Sequence, residues 1–225
     1  MKAVNRILDV ILALIMMLMI ISFSVVTTLN FKPLYYFDID FLQIPEKSGY
    51  SEEVIRENYN VLIDYNNLWG AETLEFPSLA MSETGRIHFE EVKEVFGFFE
   101  ILLIVTVILS IPLSVYCSRI RKDPAYLLLT GIFTVAIPSV AGVLIALNWE
   151  RVFILFHEIV FNNDYWVFDP VTDPVITILP NEFFMHCAIM IVFISILGAI
   201  ICIANYSRHK ASYMAQRIKR LEGQQ

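Results

Sequence analysis

The sequence FMHCAIMIVFISILGAIICIANY, residues 184–206, contains no Asp, Glu, Lys or Arg. A helix of about 20 apolar residues crosses the roughly 30 Å hydrocarbon core of a membrane, so this stretch is long enough to span it. Three other stretches also qualify, at residues 7–29, 97–117 and 125–147. The composition agrees, because 57% of the 225 residues are hydrophobic, only 17% are charged, and the mean hydropathy is +0.62. The sequence therefore predicts an integral membrane protein with four transmembrane helices.

Basic residues are concentrated in three segments beside the apolar stretches. Ten of the 16 Lys and Arg residues lie there, accompanied only by Asp9, Asp123 and Glu222. Segments rich in Lys and Arg stay in the cytoplasm, so both termini should be cytoplasmic and both long loops outside. The predicted order is the cytoplasmic N-terminus with the first transmembrane helix (1–29), extracytoplasmic loop 1 (30–96), the second helix (97–117), a cytoplasmic loop (118–124), the third helix (125–147), extracytoplasmic loop 2 (148–183), the fourth helix (184–206) and a cytoplasmic tail (207–225).

The first outer loop is large enough to have secondary structure of its own. Ser51 followed by two glutamates is typical of a helix start, since the hydroxyl caps the first turn and the acids favour the positive end of the helix dipole. We expect that helix over about residues 52–67. Residues 73–76 and 86–89 are expected to pair as a short hairpin. The helix that enters the second span should then begin over residues 90–93.

The second outer loop is shorter and more aromatic. Residues 152–161 are apolar apart from His157 and its neighbour, which predicts a helix in, or just above, the outer leaflet. Residues 175–179 are expected to form a short strand or a segment that dips into lipid. Combined with the hairpin, these features predict a mainly α fold, a four-transmembrane-helix bundle with an extracytoplasmic α+β cap formed by the two outer loops.

Histidines supply the candidates for chemistry. His209 lies in the basic tail and His186 at the start of the fourth span, whereas His88 and His157 belong to outer loops that meet the membrane. A base and its partner must share a compartment, and these two share one face. An imidazole titrates near neutral pH, so a pair at the water–lipid boundary suits proton transfer on a membrane-held substrate.

Other kinds of chemistry find little support in the sequence. There is no Gly-rich phosphate loop and no Gly-x-Ser-x-Gly elbow. Cys117, Cys187 and Cys202 lie in or beside apolar runs without metal-ligand spacing, so we expect them to be core residues. The sequence therefore predicts no metal and no other cofactor. The basic tail follows a span directly, which indicates a topology and anionic-lipid signal and no nucleic-acid partner.

Three stretches in the outer loops share a pattern with known bacterial membrane proteins. They are Tyr50-Ser51-Glu52-Glu53 with Tyr59, Leu62 and Tyr65; Gly85-Arg86-Ile87-His88-Phe89-Glu90-Glu91-Val92-Lys93; and the run from Phe156-His157 through Phe161, Asn163-Asp164, Trp166, Asp169-Pro170, Asp173 and Ile176 to Pro180-Asn181-Glu182-Phe183-Phe184. In these stretches and in its four spans, the chain resembles the lipoprotein intramolecular transacylases.

The resemblance implies acyl transfer on bacterial lipoproteins at the cell membrane. The substrate would carry a diacylglyceryl group on the sulfur of its N-terminal cysteine. The enzyme would move the sn-2 acyl chain from its glycerol ester to the cysteine α-amine, giving an N-acyl lyso-form lipoprotein. Diacylglyceryl-modified lipoproteins and membrane lipids are thus the implied partners, and the family's two functional histidines match His88 and His157.

The residues suit this chemistry. Ester to amide runs downhill, so no ATP site is needed, and the α-amine, with a reference pKa of about 7.7–8.0, is partly neutral at pH 7. A histidine can remove the amine proton and protonate the leaving glycerol oxygen. We assign His157 as the general base and His88 as its partner or the acid, although the order can be reversed.

Five further side chains are candidates for substrate binding or support of the site. An ionised carboxylate left deep in the membrane costs on the order of 2–3 kcal/mol, so the glutamate near the outer end of the second span should face the interface or a polar cavity. The aspartates of the second loop lie in turn sequences whose spacing does not match an EF-hand. The five candidates are Glu100, Asp164, Trp166, Asp169 and Glu182.

Two alternatives remain open. A membrane hydrolase would cleave the same acyl ester with water, and the product would separate it from a transacylase. A non-enzymatic envelope sensor or assembly protein would need a cytoplasmic output module, and the predicted inner loop and tail are short for one. The sequence leaves the preferred lipoproteins, the acyl chains and the oligomeric state undetermined, and a monomer is consistent with it.

Overall fold

Helices account for every regular element over residues 2–222, the part of the chain that this computed structural model describes. The elements are α1 (Lys2–Asn30), α2 (Lys32–Phe41), α3 (Ile44–Ser48), α4 (Glu52–Tyr65), α5 (Glu83–Val115), a π-helical turn (Tyr116–Ile120), α6 (Ala125–Leu147), α7 (Trp149–Val160), α8 (Val175–Ile178) and α9 (Asn181–Glu222). Residues 1 and 223–225, the extreme ends of the predicted cytoplasmic segments, lie outside the described residues. So do the side chains of four basic residues of those segments: Lys2, Arg217, Lys219 and Arg220.

Four helices are long and apolar enough to cross a membrane, as predicted. These candidate spans are Ala3–Asn30, Glu83–Ile120, Ala125–Leu147 and Asn181–Ser212. Each contains the whole of one of the four apolar stretches of the sequence. The second and fourth extend well beyond the roughly 20 residues that a crossing requires.

The predicted hairpin is wrong, and with it the α+β cap, because residues 2–222 contain no strand. Residues 73–76 are irregular and residues 86–89 lie within α5. That helix begins seven residues before the predicted start at Glu90. The Ser82 hydroxyl accepts a hydrogen bond from the Gly85 N–H at 3.0 Å, which caps the first turn. Arg86 pairs with Glu83 three residues before it and Glu90 four residues after it, a spacing that only a helix brings together.

The other local predictions have mixed outcomes. The helix expected over residues 52–67 is α4, and the Ser51 hydroxyl accepts from the Val54 N–H at 3.4 Å, as a cap should. The helix expected over residues 152–161 is α7. The short strand or lipid-dipping segment expected over residues 175–179 is instead the single helical turn α8, with Val175 and Ile178 fully buried.

The chain divides into two compact units. The first comprises the described residues up to Ser22, Leu102–Val140 and those from Val192 onward. Within it, a Cβ added at Gly131 would lie 2.4 Å from the Ile203 side chain, and one at Gly198 would lie 2.7 Å from Ile20. Glycine thus lets α6 and α1 each approach α9 closely, a common device between membrane helices.

The second unit comprises Phe23–Ile101 and Ala141–Ile191. Its core gathers buried side chains from α2, α3, α4, α8 and the start of α9. Tyr35 stacks on Tyr59 with ring centroids 3.6 Å apart, and its hydroxyl donates to the Ile178 carbonyl at 2.6 Å. The outer-loop helices therefore pack on a core of their own, and both candidate histidines belong to this unit.

Candidate active site

His88 lies on α5, one and a half turns into the helix, and is only 5% exposed. Its ring packs edge-on against Phe161 at 4.8 Å and Phe168 at 5.4 Å between centroids. Its Nδ1 is buried and has no hydrogen-bond partner among the described residues. A buried polar atom without a partner is costly, so this nitrogen is available to a substrate group. This position within α5 corrects the expectation that residues 86–89 form a hairpin strand just before the helix.

His157 lies near the end of α7 and is half-buried. Its Nδ1 lies 2.7 Å from the Phe153 carbonyl oxygen. A carbonyl can only accept, so Nδ1 carries the proton and Nε2 of the neutral ring holds a free lone pair. Burial lowers the pKa of His157 below its usual value, while the hydrogen bond to Phe153 opposes that shift. The ring is therefore neutral at pH 7 and able to accept a proton through Nε2.

The two imidazoles face each other within an aromatic enclosure. Their ring centroids are 6.1 Å apart and their planes are inclined by 33°. Phe161 touches both, at 4.8 Å from His88 and 5.6 Å from His157. The ring centroid of Trp166 lies 4.7 Å from that of His157. A small reacting group held beside the two rings would be close to both imidazoles, with aromatic side chains around it.

The second loop is tied to α5 next to His88. The Asn163 amide donates to Glu91 Oε1 at 2.7 Å, and Glu91 lies three residues, about one turn, after His88. The Trp166 indole N–H in turn donates to the Asn163 carbonyl at 3.2 Å. These bonds fix the segment that follows α7 against the helix that carries the other histidine.

A second tie holds the same loop to the start of α5. Asp173 is buried, and its Oδ1 accepts from the Ser82 N–H at 2.7 Å at the helix N-terminus. A carboxylate there is favoured by the helix dipole. Gly85 makes room for it, because an added Cβ would lie 2.2 Å from Asp173 Oδ1 and 3.2 Å from Phe168. Close approach of the loop to the helix therefore requires glycine at this position.

The structure brings only one of the five supporting candidates to the imidazoles, namely Trp166. The Oε2 of Glu100 accepts from the Leu68 N–H at 3.1 Å, and its Oε1 is buried without a partner among the described residues. Asp169 stabilises its own turn by accepting from the Val171 N–H at 2.9 Å. Asp164 is exposed in the preceding turn, and Glu182 is exposed in the first turn of α9.

Sequence reasoning missed several contacts of the site. The assignment of residues 86–89 to a strand hid the helical spacing that places Glu91 on the side of His88. Nothing local marked Phe168 or Asp173 as neighbours of α5. His186 also has a partner that was not predicted, since its Nδ1 lies 2.9 Å from both carboxylate oxygens of Asp38. Burial raises the pKa of Asp38, and the bond and charge of His186 oppose that shift.

Metal chemistry has no obvious ligand set in the described part of the chain. Among residues 2–222, no group of three or more His, Cys, Asp or Glu side chains is arranged to hold a metal ion. The three cysteines are free thiols, with Cys117 and Cys202 buried and Cys187 half-buried.

Comparisons with known proteins agree on one family. The family model described as Lipoprotein intramolecular transacylase Lit matches residues 10–184. The solved structure of the membrane integral lipoprotein intramolecular transacylase Lit from Bacillus cereus is 34% identical in sequence, with a TM-score of 0.93, and the match covers 96% of this chain and 100% of that chain. A Bacillus cereus Lit structure with one histidine replaced by arginine has a TM-score of 0.86 at 34% identity, over 95% and 96% of the two chains. No curated protein sequence matches this chain.

Proposed function

The chain belongs to the lipoprotein intramolecular transacylase family, Lit, and from that premise we propose the reaction that it performs. It moves the sn-2 acyl chain of an S-diacylglyceryl-cysteine lipoprotein from the glycerol oxygen to the cysteine α-amine. The product is an N-acyl lyso-form lipoprotein. Histidine acid–base chemistry carries the transfer.

The observation that carries this proposal is the paired arrangement of His88 and His157. Two imidazoles from different helices lie 6.1 Å apart, and the Phe153 carbonyl leaves the Nε2 of His157 as a proton acceptor. A general base must be neutral at working pH and within reach of the proton that it removes. His157 meets the first condition because burial lowers its pKa. We assign it as the base and His88 as the partner that protonates the leaving oxygen.

The proposed steps balance without a further reactant. The neutral amine nitrogen attacks the sn-2 ester carbonyl, and a C–N bond forms as the amine proton passes to Nε2 of His157. The tetrahedral intermediate then collapses, and its C–O bond to glycerol breaks. The imidazolium of His157 returns this proton to the glycerol oxygen, directly or by relay through His88, so both histidines end as they began. Because amine and ester belong to one molecule, holding them in reacting geometry can contribute about 7–11 kcal/mol.

The aromatic enclosure favours transfer over hydrolysis. Phe161 and Phe168 pack on His88, while Phe153 and Trp166 pack on His157. Apolar walls exclude the water that would otherwise compete with the amine for the ester. We therefore favour the transacylase over a hydrolase of the same ester.

Among the supporting candidates, we propose that Trp166 acts directly, by packing on the base. Its ring centroid lies 4.7 Å from that of His157, so it limits the orientations of the base and can contact the substrate. Glu100, Asp164, Asp169 and Glu182 would support the site from a distance, through the loop and helix ends that they occupy.

We also propose that the site faces the extracytoplasmic side of the cell membrane, with both termini in the cytoplasm. The concentration of Lys and Arg beside the spans supports this topology. Membrane lipid would contact α7, none of whose residues is buried and whose Phe156 and Ile159 are 49% and 71% exposed. An amphipathic helix with such a surface fits the interface between headgroups and acyl chains.

The experiment that tests the function compares a cell that expresses this protein with one that lacks it. Tryptic N-terminal lipopeptides of a diacylglyceryl lipoprotein are examined by mass spectrometry with fragmentation. Transacylation predicts an unchanged total mass and a fragment pattern that moves one acyl chain onto nitrogen. Loss of one acyl chain as free fatty acid would instead support the hydrolase.

A further inference from the structure

Glu91 lies one helical turn after His88 and presents a carboxylate oxygen that no other group in the described residues uses. Its Oε1 accepts from the Asn163 amide at 2.7 Å. Its Oε2 is buried and has no hydrogen-bond partner among the described residues. Leaving such an oxygen unsatisfied is costly, so a buried group of this kind in a native fold calls for a ligand or a functional role.

Glu91 is also one of the residues that line an open cleft next to the site. The cleft has a volume of about 350 Å³ and lies between α5 and the end of α7. Phe161 lines it, and that ring also contacts both imidazoles, at 4.8 and 5.6 Å. Phe161 is therefore common to the cleft and to the surroundings of the proposed base and acid. The cleft is lined by Glu91, Glu94, Val95, Phe98, Val160, Phe161 and Asn162.

On the basis of the proposed function, we propose that Glu91 binds the α-ammonium group of the lipoprotein's N-terminal cysteine. A carboxylate only accepts hydrogen bonds, so it selects the part of the substrate that donates them. The amine is that part, because the ester and glycerol oxygens beside it are acceptors. At pH 7 an α-amine with a pKa of about 7.7–8.0 is mostly protonated, and a charged donor to a carboxylate makes a strong hydrogen bond.

The arrangement also gives the proton a route. The ammonium is held at Glu91 Oε2 and releases one proton to water, and the neutral amine keeps a hydrogen bond to the same carboxylate. When the nitrogen attacks the ester, its next proton passes to the unprotonated Nε2 of His157. Glu91 thus orients the nucleophile, while the two histidines move protons. Glu94 is the other charged group of the cleft, and Asn163 holds the second oxygen of Glu91.

The test substitutes Glu91→Gln, which keeps the shape of the side chain and an oxygen for Asn163 but removes the charge. The control is Glu90→Gln on the same helix, whose carboxylate pairs with exposed Arg86 instead. Transacylation of a diacylglyceryl lipopeptide is measured at pH 6.5 and pH 9.5. We expect KM of the Glu91→Gln variant to rise about 10- to 100-fold at pH 6.5, where the amine is charged, and only a few-fold at pH 9.5. The control should stay within about twofold at both.

A second measurement uses the unaltered protein and so does not depend on folding of a variant. Two inhibitors carry an ether in place of the sn-2 ester, and one of them also lacks the α-amine. At pH 6.5 the ether that carries the amine should bind at least about tenfold more tightly than the ether that lacks it. At pH 9.5 the two should bind nearly equally. The assignment would be overturned if the two inhibitors bound equally at both pH values. It would also be overturned if Glu91→Gln raised KM by the same factor at both. Such results would leave the transacylase function standing if the unaltered protein still converts substrate.

Discussion

At the scale of single residues, the hydrogen bond from His157 Nδ1 to the Phe153 carbonyl determines which of its nitrogens can accept a proton. The bond is local, between residues four apart on one helix, and it fixes the tautomer with Nε2 as the acceptor. His88 has the complementary character, since its Nδ1 is buried and unpartnered among the described residues. His157 is thus oriented by the protein, and we propose that a substrate group reaches the free nitrogen of His88.

We expect His157→Gln and His88→Gln each to reduce transacylation by 10³-fold or more, on the order of the combined contributions of a general base and acid. Glutamine has hydrogen-bonding groups but cannot shuttle a proton near neutral pH. Each variant is quantified in the membrane fraction, and its lipopeptide product is measured by mass spectrometry. A variant that is present at normal levels and still turns over normally would remove that histidine from the mechanism.

We expect the rate to fall in two separate steps as the pH is lowered. Below about pH 8 the rate falls with unit slope as the substrate amine becomes protonated. Because burial lowers the pKa of His157, less than half of this residue is protonated at pH 6.5, where an ordinary histidine is half protonated. The second step, with total slope two, should therefore begin below pH 6.5. A log(kcat/KM) profile that steepens above pH 6.5 would contradict the assignment of a depressed pKa to the base.

Sequence reasoning singled out two histidines whose rings the structure brings together, but not the residues around them. Histidines in outer loops are visible from topology and residue type, because the membrane restricts where each loop can lie. The neighbours of the rings depend on tertiary contacts that no local pattern encodes. Phe168 reaches His88 from 80 positions away, and the pairing of Asn163 with Glu91 spans 72 positions. The three-residue spacing between His88 and Glu91 was the one local sign of these contacts. The assignment of residues 86–89 to a strand concealed it.

At the scale of elements, the N-terminal turns of α5 are where prediction and structure diverge most. The sequence from Glu83 to Phe89 contains Gly85 and alternates polar with apolar residues, which favours a turn and a strand. Tertiary contact decides otherwise, since Asp173 binds the Ser82 N–H from 91 positions away and stabilises the helix start. The spans were predictable because the required apolar length is a local property. The helix start was not, because its cap comes from a distant loop.

Replacing Gly85 by alanine tests the close contact between the second loop and α5. The added methyl would lie 2.2 Å from Asp173 Oδ1, so the loop must shift, and overpacking of this kind costs about 1–3 kcal/mol. We expect a lower thermal midpoint and reduced transacylation, because the loop carries Trp166 to His157. Thermal unfolding in detergent and the lipopeptide assay measure the two effects.

Gly97→Ala on the same helix is the matched control. Its Cβ would meet only Leu68 Cδ1 at 3.6 Å, which is ordinary contact. Alanine has the higher helix propensity by about 1 kcal/mol, so this variant should be as stable as the parent or more so. If Gly85→Ala behaved like Gly97→Ala in both assays, the close packing of Asp173 against α5 would not matter for function.

At the scale of the whole molecule, the account requires that the second outer loop and the C-terminal tail lie on opposite sides of the membrane. The test starts from a variant with Cys117, Cys187 and Cys202 changed to alanine, which we expect to retain activity because no cysteine takes part in the mechanism. Single cysteines are then added at Val171, which is 85% exposed, and at exposed Ser212.

An impermeant maleimide should label the cysteine at position 171 in intact cells, and the one at position 212 only after the membrane is permeabilised. Charge asymmetry beside the spans is the reason for this expectation. Labelling of position 212 but not 171 in intact cells would invert the topology. The proposed meeting of the histidines with extracytoplasmic lipoprotein would then be untenable.

A crossover experiment with purified protein tests whether the acyl transfer is intramolecular and depends on the two histidines. Two diacylglyceryl lipopeptides are mixed, one with an isotopically labelled sn-2 acyl chain and a distinguishable peptide. The account predicts that each product carries on its α-nitrogen the acyl chain that it began with, and that neither His157→Gln nor His88→Gln yields product. Label on the nitrogen of the other peptide, or label released as free fatty acid, would contradict intramolecular transfer by this pair of histidines.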